Sequence, residues 1–394
     1  MSGYIAVVNA GSSSIKFALC DASNDTNVLF RGQIEAIGVA PKLHVKDAQG
    51  KTIEQRSWPA EGFDHKAATR EILATGSGLA KGTPILGVGH RIVHGGMKYG
   101  APVLLNQQIL ADLAELIPLA PLHQPHNLGP VQTILEAVPH IPQIACFDTA
   151  FHRSQENLAQ SFALPRRYTE SGVRRYGFHG LSYEYIVSQL LKVDPAAAAG
   201  RAVLAHLGNG ASLCAVHDGK SVASTMGFTA VDGLVMGTRC GALDPGVILY
   251  LLQEQHLDAA GIEDLIYRKS GLLGVSGISS DMRTLRASSD PPAREAIALF
   301  VYRIVREVGS LVAALGGIDA LVFSGGIGEH DATTRAEVVS GCSWLGAIID
   351  PQRNAKGNGL VSADISRLPV WVVATDEERL IARQTRELVT PGVR

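Results

Sequence analysis

Tyr4–Asp21 reads YIAVVNAGSSSIKFALCD. Two short apolar runs, Tyr4–Val8 and Ile15–Asp21, flank Asn9-Ala10-Gly11-Ser12-Ser13-Ser14. That is the pattern of strand, Gly/Ser turn, strand. It returns in the second half of the chain. Ala202–His206 is apolar, Leu207-Gly208-Asn209-Gly210-Ala211 is the turn, and Ser212–His217 is the second strand. Gly11, Ala18 and Asp21 coincide with Gly208, Ala215 and Asp218 at an offset of 197, half of the 394 residues. The repeat predicts two copies of one α/β unit.

Composition narrows the function classes. Hydrophobic residues make up 46% of the chain, enough for a large core. Lys+Arg is 35 and Asp+Glu is 37, a net charge of −2. Neither a nucleic-acid nor a membrane partner is expected from that balance. Cys20, Cys146, Cys214, Cys240 and Cys342 are scattered without a CxxC, so neither a disulfide framework nor a zinc site is expected. Met1–Leu19 lacks a basic head followed by an apolar block, so no signal peptide is expected. Leu311–Phe323 is short and contains Asp319, which falls below the ~20 residues a membrane span needs. A soluble, reducing, cytoplasmic setting is expected.

Around the repeat, helical patterns cover Lys66–Ala80, Gln107–Ile117, Asn127–Val138, Ser182–Lys192, Pro245–His256 and Pro292–Leu315. Strand patterns cover Ile85–Val88, Gln143–Phe147, Ala320–Phe323 and Val370–Val373. Their alternation predicts mixed sheets covered by helices. No long linker divides the halves, and a hinge is expected near Phe147–Phe151.

Three Gly-rich turns carry candidate chemistry. Asn9–Ser14, followed by Lys16, offers backbone N–H groups, hydroxyls and a cation to phosphate oxygens; taken alone, the stretch reads first as an ordinary hairpin turn. His206–Gly210 has the same two readings. Ser324-Gly325-Gly326-Ile327-Gly328-Glu329 follows a strand and precedes a helix-like segment from about Asp331, which suits a flat anionic ligand near the backbone. It is not GxGxxG. Gly50-Lys51-Thr52 and Gly219-Lys220-Ser221 lack the upstream glycine of a phosphate-binding P-loop, since Val45 and Cys214 stand there.

Charged residues in apolar or glycine settings complete the candidates. Arg91 lies in Gly89–Gly96 and Arg239 in Gly237–Gly241. They read as forks for carboxylate or phosphate, or as structural ion pairs. None of the 13 His has metal-site spacing, and His179 before a helix is the best functional candidate. Asp148 and Glu377 follow strands, where an acid can orient Mg2+ or simply cap or begin a helix. Asp281-Met282-Arg283 reads as a nucleotide-gripping loop or a capped helix start.

Asn9–Lys16, Gly89–Gly96, Phe147–His152, Phe178–Gly180, Gly237–Pro245, Ser270–Arg283 and Gly325–Glu329, in that order over nearly the whole chain, resemble the acetate kinase family. The resemblance implies an α/β fold of duplicated actin-like (ribonuclease H-like) ATPase domains, with mixed sheets flanked by helices about a central cleft. It places one domain at 1–149 with 379–394. The other, 150–378, would carry most nucleotide contacts and a homodimer interface. It implies ATP/ADP and a short-chain carboxylic acid as substrates, with Mg2+ or alternatively Mn2+. Asn9 and Glu377 match metal-site positions. Ser14, Lys16, His206, Leu207, Gly208, Asn209 and Gly210 match phosphate positions. Asp281, Met282, Arg283, Gly326, Ile327, Gly328, Glu329 and His330 match positions around the nucleotide. Arg91 matches the substrate arginine, His179 and Arg239 transition-state stabilisers, and Asp148 and His123 further catalytic positions. Val93, Leu122, Phe178 and Ala230 match the wall around the acyl group. The implied reaction is ATP + acetate ⇌ ADP + acetyl phosphate. A propionate kinase and a non-enzymatic ATP clamp are the alternatives. The chain departs from the family at Gln124, His126, Leu181, Tyr183, Ala230, Ala242 and His330.

Overall fold

The computed structural model describes residues 3–23, 26–121 and 123–390. The chain forms two units, one running to Ala150 and resuming at Asp376, the other spanning Phe151–Thr375. In the first, β1 (Tyr4–Ala10), β2 (Ile15–Asp21), β3 (Val28–Glu35), β4 (Lys42–Asp47), β5 (Thr52–Ser57), β6 (Ile85–Ile92), β7 (Val103–Leu104) and β8 (Gln143–Phe147) make one sheet. Its order is β5-β4-β3-β2-β1-β6-β8-β7. In the second, β9 (Arg201–Leu207), β10 (Ala211–His217), β11 (Lys220–Ser224), β12 (Ala320–Ser324), β13 (Gly359–Leu360) and β14 (Val370–Val372) are ordered β11-β10-β9-β12-β14-β13.

The duplication expected from Tyr4–Asp21 is present as topology. β3-β2-β1 and β11-β10-β9 are antiparallel meanders, and each continues into two parallel strands, β6-β8 and β12-β14. Each central strand is followed by its hairpin partner across a tight turn, closed by Gly11 N–H to the Ser14 carbonyl (2.8 Å) and by Gly208 N–H to the Gly210 carbonyl (3.0 Å). Inward residues of the first meander, Val8, Ile15, Ile34 and Leu43, pack with Ala68 and Ile72 of helix His65–Ala80. In the second unit Leu204, Cys214 and Val216 pack with Tyr183, Ile186 and Leu190 of helix Gly180–Val193. Each buried aliphatic side chain contributes about 1.5–3 kcal/mol, so each sheet–helix layer supplies its own core.

The sequence reading of local elements needs four corrections. The strand expected to end at Val88 runs to Ile92. Gly, His and Arg are poor strand formers, but the parallel ladder to β8 carries them, and His90 Nε2 meets Gln143 Oε1 at 2.7 Å. The helix expected from Asn127 begins at Gln124, with Pro125 in the first turn, where its missing N–H costs nothing. The helix expected to reach Ile117 ends at Ala114, ahead of a 3₁₀ turn containing Pro118. The helix from Pro245 ends at Gln253 rather than His256. Strands β3–β5 went unread, because their exposed faces are polar and β5 is exposed along most of its length. Both GK[ST] segments are hairpin turns, β4–β5 and β10–β11; in the latter Asp218 and Gly219 have φ of 49° and 69°.

Helix Glu377–Val389 lies on β6 of the first unit. A Cβ at Gly89 would come within 2.5 Å of Ile381 Cγ2 and meet the Thr385 hydroxyl. That close approach requires glycine at 89.

Candidate active site

In the first unit, Arg91 ends up near the C-terminal end of β6 and Asp148 just after β8, the adjacent parallel strand. Parallel register therefore brings the two together. Arg91 Nε donates to both Asp148 oxygens (3.1 Å each) and Nη2 to Oδ2 (2.7 Å). Asp148 is 1% exposed. Arg91 Nη1 lies 3.5 Å from Glu377 Oε2, in the first turn of the terminal helix. Burial works against the Arg91 charge, but the Asp148 and Glu377 carboxylates outweigh it and raise its pKa. Burial pushes the Asp148 carboxyl up, against the opposing pull of Arg91. Asp148 thus fixes the plane of the guanidinium rather than capping a helix.

Asn127 joins this arginine to the Gly/Ser turn. Its Oδ1 accepts from Val93 N–H (2.9 Å), and its Nδ2 donates to the Ala10 carbonyl (2.7 Å). Asn9 lies on β1 beside Lys16 of β2. His65 Nε2 donates to the Gly11 carbonyl at 2.9 Å. His123 sits at the cap position of helix Gln124–Ala137. Leu122 lies outside the described residues.

In the second unit, His179 immediately precedes helix Gly180–Val193 with φ 58°. A non-glycine residue in that region costs about 1–2 kcal/mol, so its surroundings must hold it. His152 does so from behind: its Nε2–H donates to the Phe178 carbonyl (2.9 Å), and its Nδ1 meets Ser221 Oγ (2.9 Å). Phe178 is 2% exposed. On the ring side, His179 Nδ1 is 2.8 Å from Ser212 Oγ, and the ring stacks on His206 at 4.4 Å. His206 Nδ1 is 2.8 Å from Ser182 Oγ.

Arg239 approaches the same place from another loop. Backbone bonds from Gly237 N–H to Asn209, Ser270 N–H to Thr238, Leu272 N–H to Met236 and Leu273 N–H to Gly237 stitch this loop down (2.8–3.0 Å). Arg239 Nη1 donates to the Ala230 carbonyl at 2.6 Å. A Cβ at Gly210 would sit 3.2 Å from Arg239 Nη2 and 3.4 Å from His179 Nε2. A guanidinium nitrogen and an imidazole nitrogen therefore converge beside a residue with no side chain, an arrangement suited to anionic oxygen.

Next to it is a cavity of about 1010 Å³. The expected residues Gly208, Asn209, Asp281, Met282, Arg283, Gly326, Ile327 and His330 all line it. The Gly-rich segment is itself helical, Gly325–His330, not a loop ahead of a helix. Helical spacing then divides it. Gly326, Ile327 and His330 line the cavity, whereas Gly325 and Gly328 are buried and the Glu329 carboxylate accepts from Gly325 N–H (2.8 Å) and Thr375 N–H (3.1 Å). Gly328 and Glu329 are therefore structural neighbours of the cavity. Gly325 has φ 77° and sits where a Cβ would lie 2.8 Å from the Leu207 carbonyl oxygen, which requires glycine. Leu207 is buried in β9. Asp281 caps helix Met282–Ala287, accepting from Arg283 N–H at 2.8 Å.

Sequence reasoning missed Ser280, Arg286, Ala287, Asp331 and Thr333 of the cavity wall. Arg286 pairs with Glu337 (2.5 Å) and Asp331 (3.4 Å), a spacing no local motif records. His90, His94 and His152 are buried, and burial holds each down at about 4, neutral at pH 7; they are structural.

Among the described residues, no group of three His, Cys, Asp or Glu could hold a metal alone. The Arg91 guanidinium, however, feels the carboxylates Asp148, Glu377 and Glu378, and Glu378 and Asp376 pair with Arg31 beside it. Hard oxygen donors of this kind suit Mg2+, which takes one or two carboxylates and completes its shell with phosphate and water. The residues fit such an ion bound with a nucleotide. Among the described residues no helix is long and apolar enough to cross a membrane.

Residues 4–383 match the model of the Acetokinase family. The chain is 52% identical to an acetate kinase of Rhodopseudomonas palustris over 100% of both chains. It is 37% identical to Porphyromonas gingivalis acetate kinase, whose crystal structure aligns with a TM-score of 0.88 over 98% of this chain and 100% of that one. It is 35% identical to a propionate kinase from Francisella tularensis subsp. tularensis SCHU S4, with a TM-score of 0.90 over 98% and 99%.

Proposed function

The chain belongs to the acetokinase family, and from that premise we propose that it catalyses reversible, Mg2+-dependent transfer of the γ-phosphoryl group of ATP to acetate, giving acetyl phosphate and ADP. The acceptor carboxylate is ionised near pH 7 and needs no base to become a nucleophile. One of its oxygens forms the new P–O bond as the bond from phosphorus to the β–γ bridging oxygen breaks, and ADP leaves with that electron pair. Catalysis is then alignment and charge neutralisation.

Arg91, its plane set by Asp148, holds the acid through its Nη1 edge. Val93, Phe178 and Ala230 wall the acyl group, as the resemblance to the family implies. Arg239 and His179 meet the equatorial oxygens of the transferring phosphoryl, with His123 assisting. Ser14, Lys16 and His206–Gly210 hold phosphates, while the residues of the large cavity hold the nucleoside. Asn9 and Glu377 would hold Mg2+, or Mn2+ in its place, and the ion would supply neutralisation of the phosphate charge. The observation that carries this reading is the convergence of Arg239 Nη2 and His179 Nε2 beside Gly210.

The test is hydroxylamine trapping of acyl phosphate with acetate, propionate and butyrate, with and without EDTA. Hydroxamate dependent on ATP, acid and Mg2+, with the highest kcat/KM for acetate, is expected. No hydroxamate from folded protein would reject the reading. The 35% identical propionate kinase favours a second reading, in which propionate ranks first.

A second copy of the chain is the proposed partner. Helix Pro245–Gln253, PGVILYLLQ, has no buried residue, and Val247, Leu249, Tyr250 and Leu252 are each 39–54% exposed. An apolar face of that kind marks an association surface. Sedimentation is expected to give a dimer that Leu249→Glu converts to monomer; a monomeric wild type would dismiss it.

A further inference from the structure

We infer that Tyr183 and Ser212 are positioning residues that hold the His179 imidazole in the Nε2–H tautomer, so that the nitrogen beside Gly210 and Arg239 is a hydrogen-bond donor. The inference rests on the role proposed above for His179 in phosphoryl transfer.

The three side chains form one line. Ser212 Oγ stands 2.8 Å from His179 Nδ1 and 2.5 Å from Tyr183 Oη. Tyr183 and Ser212 are both 0% exposed. Tyr183 lies one helical turn after His179, and its N–H donates to the His179 carbonyl at 3.0 Å. Ser212 enters from β10, opposite His206 in the antiparallel ladder. The segment therefore clamps His179 by its main chain and by its ring.

Proton direction follows from counting donors. A serine hydroxyl has one proton to give, and so has a phenol. The buried Tyr183 phenol places its proton on Ser212 Oγ, the side-chain oxygen 2.5 Å away. Ser212, having accepted, gives its proton to His179 Nδ1. A buried phenol that instead accepted from Ser212 would have to place its own proton elsewhere, and an unplaced buried donor is costly. Nδ1 is therefore the acceptor, and a neutral ring carries its proton on Nε2. That atom is 3.4 Å from the Cβ position of Gly210, where Arg239 Nη2 is at 3.2 Å. The opposite tautomer would turn a lone pair, not a proton, towards an anionic oxygen.

The test is long-range 1H–15N correlation of the His179 ring in the full-length protein, with the signal assigned by its loss in His179→Gln. The wild type is expected to show a protonated Nε2 and a bare Nδ1. Tyr183→Phe, an isosteric change, is expected to shift those resonances towards the other tautomer. It should lower kcat about five- to tenfold, the worth of one hydrogen bond, with KM for ATP and acid within about twofold. Ser212→Ala should lower kcat at least as much. A packing role alone would move the melting temperature and leave the ring spectrum unchanged. A wild-type ring protonated on Nδ1 would overturn the inference without any variant being made. So would a Tyr183→Phe protein with wild-type ring resonances and kcat. If His179→Gln retains full kcat, the role of His179 in transfer is wrong, while the spectra still judge the relay by themselves.

Discussion

Arg239→Ala is expected to lower kcat by about 10²–10³-fold, as when one transition-state donor is lost. Arg239 sits on a loop fixed by main-chain bonds to Asn209 and to 270–273, so truncating the side chain leaves the loop in place. The fold loses the donor to the Ala230 carbonyl, worth about 1 kcal/mol. The larger loss falls on the transferring phosphoryl, whose charge then meets His179 without its cationic neighbour. KM for ATP and for the acid should change much less than kcat, because the donor acts on charge that forms in the transition state. Arg239→Lys should recover only part of the rate, since an ammonium cannot present the planar fork. Steady-state kinetics below the melting transition of the variant, with its fold checked by circular dichroism, decides the matter. Turnover near normal in Arg239→Ala removes this residue from the chemistry.

Arg91→Ala is expected to damage both stability and binding. The change leaves Asp148, 1% exposed, and Glu377 without their shared cation. Removing one partner of a buried pair costs about 3–5 kcal/mol. Arg91 is 24% exposed, so the lower end, about 3 kcal/mol, is expected by denaturant unfolding at pH 7. The pH dependence has a definite sign. Burial already pushes the folded-state pKa of Asp148 up, and without Arg91 nothing opposes it. A group whose folded pKa is raised stabilises fully below its unfolded pKa and loses that contribution as pH rises through the folded pKa. The deficit of Arg91→Ala should therefore shrink as pH falls from 7 towards 5. Adding Asp148→Asn should recover part of the loss, because the amide is neutral. KM for the acid should rise in every variant lacking Arg91. A deficit that is constant with pH, or a double variant less stable than Arg91→Ala, would refute the buried-pair account.

Much of this molecule could be read along the chain. Tyr4–Asp21 and its echo at Ala202–Asp218 announced the duplicated unit, because a strand, a Gly-rich turn and a strand are each local patterns. The helices His65–Ala80 and Pro291–Leu315 were legible for the same reason: apolar spacing repeats within each segment. The glycine and arginine clusters were visible as residues out of place in their settings, and Arg91, Arg239 and His179 were found in that way.

Other features have no signature along the chain. Asp148 meets Arg91 across 57 residues only because β6 and β8 are parallel neighbours in one register. Ser212 reaches His179 across 33 residues because β10 pairs with β9 beside the start of helix Gly180–Val193. Gly325–His330 looked like a loop because glycine is a poor helix former, yet packing against Leu207 fixes it as helix and decides that Gly326, Ile327 and His330 line the cavity. The sequence by itself therefore determined the duplicated α/β units and the residue types available for phosphoryl transfer, since periodicity and turn chemistry act over a few residues. Only the tertiary structure decided which carboxylate holds which arginine, which face of the glycine helix lines the cavity and which hydroxyl orients His179. Those choices are set by sheet register and close packing between segments far apart in the chain.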